Sequence, residues 1–89
     1  MERRKRRPQS FYDIEIDLHG KNTEEAVAII EETVFANGPA TILIIHGRGD
    51  GILKREIRKY LHESKYVKNV LFGEENNIPG ADGVTVVYT

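Results

Sequence analysis

The chain has 89 residues, no cysteine and a formal net charge of −1. That length holds one small domain with a modest core, and the lack of cysteine excludes both a disulfide framework and a thiolate metal site. No apolar run is long enough to span a bilayer, and the charged block behind Met1 lacks the apolar stretch of a signal peptide. A cytoplasmic protein with no membrane contact is therefore expected.

The small net charge hides an asymmetry. Glu2, Arg3, Arg4, Lys5, Arg6 and Arg7 sum to +4, which leaves −5 on the remainder. Residues 1–10 have no apolar period and contain Pro8, Gln9 and Ser10, so they are expected to form a disordered basic arm ahead of a folded domain at 11–89. A basic arm suits a nucleic-acid partner.

Residues 12–18 alternate, with Ile14, Ile16 and Leu18 on one face and Asp13, Glu15 and Asp17 on the other, as a half-buried strand does. A helix then starts with Asn22 or Thr23 as N-cap and acids in its first turn. Ala26, Val27, Ile30 and Val34 supply its apolar stripe. Asn37-Gly38-Pro39 should end it, Gly38 as a left-handed residue with a proline beyond. Thr41-Ile42-Leu43-Ile44-Ile45 is apolar nearly throughout, as a strand inside a sheet is. A second helix begins near Gly51, where Leu53, Ile57, Tyr60 and Leu61 recur with helical spacing. Lys54, Arg55, Arg58, Lys59 and His62 are left for its outer face. Two further strands are expected at 67–72 and 84–88, joined by a polar loop. The order βαβαββ implies an α/β fold with a four-stranded mixed sheet whose last strand is antiparallel.

Two turns of one kind stand at strand ends, Asp17-Leu18-His19-Gly20 and His46-Gly47-Arg48-Gly49-Asp50-Gly51. In a parallel βαβ unit both lie on the same sheet edge, where open α/β sheets bind ligands. His19 and His46 would then reach one phosphodiester, one as general base and the other as general acid, with Asp17 orienting an imidazole. Gly47, Gly49 and Gly51 let the backbone approach a phosphate, and Arg48, Lys54, Arg55 and Arg58 add charge. The competing use of His19, His46, Asp17 and Asp50 is to ligate a divalent cation. No His-x-x-x-His or His-x-His spacing points to that, so no metal or other cofactor is expected.

These two turns, together with Gly-Ala-Asp-Gly-Val-Thr-Val-Val at 80–87, resemble the Smr (small MutS-related) domain. The resemblance covers about residues 13–88. It implies a two-layer α/β sandwich similar to the C-terminal domain of translation initiation factor 3. It also implies endonuclease activity, nicking DNA in some members and cleaving RNA in others. The motif positions present are Asp17, His19, Gly20, His46, Gly47, Gly49, Gly51, Gly80 and Gly83. Some members carry Leu-Arg-Gly where this chain has Leu18-His19-Gly20, which ranks His46 above His19 as the expected catalyst. The alternative function is a DNA- or RNA-binding module that holds phosphate without cleaving it.

Overall fold

Alternation and helical periodicity build the elements in the expected order. A computed structural model describes residues 12–49 and 51–89; the expected basic arm and Asp50 lie outside the described residues. The elements are β1 (Ile14–Asp17), α1 (Thr23–Ala36), β2 (Thr41–Ile45), α2 (Ile52–Glu63), β3 (Asn69–Phe72) and β4 (Val84–Tyr88). Two short 3₁₀ turns, Gly73–Glu75 and Ala81–Gly83, punctuate the loop before β4.

Asn22 is the N-cap of α1. Its side chain accepts the Glu25 N–H at 2.8 Å while the Glu25 carboxylate accepts the Asn22 N–H at 3.2 Å, a reciprocal capping box. The expected left-handed stop at Gly38 is absent, since Asn37 is extended at φ −121° and Gly38 is not among the residues with positive φ. The Asn37 side-chain amide donates to the Thr33 carbonyl at 2.8 Å. That bond satisfies an end carbonyl by a route other than a glycine turn.

The sheet order is β1-β2-β4-β3. β1 runs parallel to β2, and β4 is inserted antiparallel between β2 and β3. On one sheet face Ile42, Ile44 and Val87 pack with Leu18, Ala26, Ile30, Ile57 and Leu61, so both helices cover this side. Leu43, Val84 and Val86 form a second cluster with Ile45, Leu71, Ile78 and Tyr88. β2 is thus buried on both faces, which is why its sequence carries no polar alternation. The parallel pairing sets Asp17 beside Ile45, and the antiparallel pairing sets Val84 beside Ile45. The end of β1, the end of β2 and the start of β4 therefore meet at one sheet edge.

Candidate functional site

That edge gathers all three glycine-containing motifs. Leu18 donates its N–H to the Ile45 carbonyl at 2.7 Å, which ties the first turn to the second. The third joins through one atom, because the Gly83 carbonyl accepts the N–H groups of both His46 and Gly47 at 3.0 Å each. Gly47 (φ 80°), Gly49 (φ 40°) and Gly51 (φ 85°) all occupy the left-handed region that glycine adopts without strain, and Gly51 is the N-cap of α2. A side chain at Gly47 would also crowd His19, since a Cβ there would lie 3.3 Å from the His19 Cβ. The first and second turns are therefore in contact.

A cavity of about 220 Å³ opens beside these turns. Gly20, Gly47, Gly49 and Gly51 contribute backbone to its wall, Lys21, Arg48 and Lys54 contribute cations, and of the two histidines His46 lines it and His19 does not. Asp82, from the third motif, pairs with two of them: Arg48 Nε at 2.6 Å and Lys54 Nζ at 3.7 Å. Arg55 is not in the cavity wall; it is 69% exposed and pairs along the helix with Glu56 at 3.7 Å.

The two histidines differ sharply. His19 is 71% exposed, and its Nδ1 lies 2.5 Å from Asp17 Oδ1. An ionised carboxylate only accepts, so Nδ1 carries the proton. In the neutral ring Nε2 is then the nitrogen with the lone pair. The same bond stabilises the Asp17 carboxylate and lowers its pKa. His46 is 3% exposed. Its Nδ1 lies 2.9 Å from the Gly47 carbonyl and its Nε2 lies 2.8 Å from Thr85 Oγ1. Both ring nitrogens thus have protein partners. Burial pushes the His46 pKa down, the Gly47 carbonyl opposes that, and the nearby Arg58 and Lys54 cations push it down further.

Arg58 is not on the outer face of α2 as helical spacing implies; its side chain is only 10% exposed. Its Nη1 and Nη2 each donate to Glu74 at 2.8 Å, its Nε donates to Thr85 Oγ1 at 2.8 Å, and its guanidinium lies 3.9 Å over the Phe72 ring. The physical reason is reach: position 58 borders the apolar stripe, and a long side chain there crosses to the strand behind it. A group so engaged is held mostly inside the protein. The Glu74 carboxyl is pulled down to about 2, chiefly by its hydrogen bonds from Arg58.

Sequence reasoning missed Lys21, Glu74, Asp82 and Thr85. Thr85 carried a legible signal, a hydroxyl at a core-facing position between valines. Asp82 carried one too, its place in the motif at 80–87, whereas Glu74 carried none, because its partner Arg58 is distant in the chain. Among the described residues, no three His, Asp or Glu side chains come together as a ligand set for a metal ion, and no helix is long and apolar enough to cross a membrane. Asp50, one of the four alternative ligands, lies outside the described residues.

The Smr domain family model matches residues 16–89. The chain is 38% identical over 80 residues to a protein named endonuclease MutS2 from Carboxydothermus hydrogenoformans, covering 86% of this chain and 10% of that protein. It is 42% identical over 76 residues to the protein of the same name from Fusobacterium nucleatum, covering 82% and 10%. The chain thus spans about a tenth of the length of these relatives. The crystal structure of the Smr domain of Thermus thermophilus MutS2 superposes with a TM-score of 0.73 at 32% identity, covering 83% of this chain and 94% of that one. With the family's motifs assembled on one sheet edge, the chain belongs to the Smr domain family.

Proposed function

We propose that this chain is an endonuclease domain that cleaves nucleic-acid phosphodiester bonds, with His19 as general base and Asp17 as its orienting partner. The observation that carries the reading is the 2.5 Å contact between Asp17 Oδ1 and His19 Nδ1 on an exposed imidazole beside the Gly47 turn. The relatives' name, endonuclease, supports the same class. A carboxylate that accepts the Nδ1 proton fixes the tautomer and leaves Nε2 with its lone pair. That nitrogen takes the proton of the attacking hydroxyl as oxygen bonds to phosphorus. The bond to the leaving oxygen then breaks, and solvent supplies the proton that this oxygen needs. Arg48, Lys54 and Lys21 offer charge, and the backbone N–H of Gly49 a hydrogen bond, to the phosphate oxygens.

This assignment reverses the ranking of the two histidines. A His46 whose ring nitrogens are spent on Gly47 and Thr85 has no proton to exchange with a substrate unless that network opens. One imidazole therefore remains for the chemistry, and the same fact favours the second reading, a binding module that holds phosphate without cutting. Incubating the protein with supercoiled DNA and with structured RNA, beside His19→Ala, separates the two. Cleavage lost in the variant with binding retained supports the nuclease. Binding without cleavage by the wild type supports the module.

A further inference from the structure

The hydrogen bonds around His46 have a direction that is fixed by elimination. The Arg58 Nε–H only donates, so Thr85 Oγ1 is its acceptor. The Gly47 carbonyl only accepts, so His46 Nδ1 carries a proton. In the neutral ring Nε2 is then an acceptor, and the single hydroxyl proton of Thr85 goes to it. The chain runs from Arg58 through Thr85 and His46 to the Gly47 carbonyl. It lies almost wholly inside the protein, with Thr85 0% and His46 3% exposed. Arg58 is itself clamped by Glu74, by the Val84 carbonyl at 3.1 Å and by the Phe72 ring.

We infer that Thr85 is a positioning residue for the glycine turn: its hydroxyl, polarised by Arg58, holds His46 as the Nδ1–H tautomer, and that tautomer pins the Gly47 carbonyl. The assignment rests on the proposed function in one respect, the use of this turn to hold phosphate. Gly47 and Gly49 adopt left-handed backbone, so the turn has many conformations open to it when nothing fixes a carbonyl. A protonated His46 would present a second N–H to Thr85 and force the hydroxyl proton off the ring. The charged groups that face the ring are Arg58, Lys54 and Glu74. The two cations oppose protonation, and Glu74 is engaged with Arg58. The site is thus built around a neutral ring.

The test uses the whole chain with Thr85→Val, which deletes the hydroxyl at nearly constant shape, and Thr85→Ser, which restores it. Nitrogen-15 shifts of the His46 ring report the tautomer. Inorganic pyrophosphate, titrated against the Gly47 and Gly49 amide signals, reports the turn. The wild type and Thr85→Ser should both show a single Nδ1–H tautomer. Thr85→Val should show mixed tautomers and bind pyrophosphate about tenfold more weakly, the loss expected for one buried hydrogen bond. Unchanged tautomer and affinity in Thr85→Val, or no rescue by Thr85→Ser, overturns the assignment. So does a wild-type ring found as the Nε2–H tautomer or charged at neutral pH, a result that stands even if Thr85→Val fails to fold. A wild type that leaves pyrophosphate unbound overturns the link from turn to phosphate. Absence of nuclease turnover would count against the proposed function alone, because neither readout involves cleavage.

Discussion

Asp17 and His19 are two residues apart, yet the Asp17 Oδ1 reaches both the His19 ring nitrogen at 2.5 Å and the His19 backbone N–H at 3.3 Å. The turn at Leu18 to Gly20 bends the chain around the carboxylate, so the pair is held by backbone as well as by side chain. If His19 is the base, His19→Ala should lower the cleavage rate by about 10²–10⁴-fold, the usual worth of a general base. Asp17→Asn should slow cleavage by less, because an amide still bonds the ring without favouring the imidazolium. Neither should move binding, which the glycine turn and its cations supply. Single-turnover cleavage beside anisotropy binding on the same preparations checks this, and equal losses in binding and cleavage would count against a chemical role.

Arg58 and Glu74 make the second informative pair. Arg58→Ala should cost about 2 kcal/mol, since it removes the donor to buried Thr85 Oγ1 and to the Val84 carbonyl together with the pair to Glu74. In a domain of this size that lowers Tm by roughly 8–16 °C. Arg58→Lys should rescue little, because a point charge cannot serve two carboxylate oxygens and a hydroxyl together. Were Arg58 a phosphate contact, either variant would instead weaken nucleic-acid binding at nearly constant Tm.

The same pair fixes an acid limit. Glu74 has a folded pKa of about 2, below its ordinary 4.5, so the unfolded chain binds its proton first. Its contribution is present above about 4.5, declines as pH falls, and is gone below about 2. Thermal melts across that window should show the wild type losing stability more steeply than Glu74→Gln. Parallel pH profiles for the two would show that the pair contributes nothing to folding.

The architecture was legible because two periods were clean. Ile14, Ile16 and Leu18 alternate, and Leu53, Ile57 and Leu61 repeat every four residues. The insertion of β4 between β2 and β3 was not legible, since it depends on pairings such as Thr41 with Tyr88 that no local pattern encodes. The site divided along the same line. Turn glycines announce themselves, because backbone conformation is a local property. Whether a histidine beside them is open or spent depends on partners such as Thr85, 39 positions from His46.

Asp82 should restrain the cations of the cavity. It neutralises part of the field of Arg48 and Lys54, each of which it contacts through a different oxygen. Asp82→Asn should therefore raise affinity for unrelated nucleic-acid sequences at low salt. It should also steepen the fall of log K with log salt by up to about one unit, the slope of one more phosphate contact. Arg48→Ala and Lys54→Ala should do the reverse. Arg55→Ala should change neither, because that side chain pairs with Glu56 away from the cavity. Weaker binding in Asp82→Asn would mean that the carboxylate aims the two cations at their ligand.

Chelation gives the remaining prediction. One Asp17 oxygen, Oδ1, is bonded to His19 Nδ1, and both His46 nitrogens point at protein atoms. Bringing His46 to a cation would mean breaking one of its hydrogen bonds to Gly47 or Thr85. Cleavage is therefore expected to continue at its original rate after exhaustive chelation. If chelator instead abolishes activity and added Mg²⁺, Mn²⁺ or Zn²⁺ restores it, His19 Nε2 becomes a ligand in place of a base. Asp50→Asn would then discriminate further: a metal site that includes Asp50 should lose affinity for the cation, whereas an Asp17–His19 base should cleave as before.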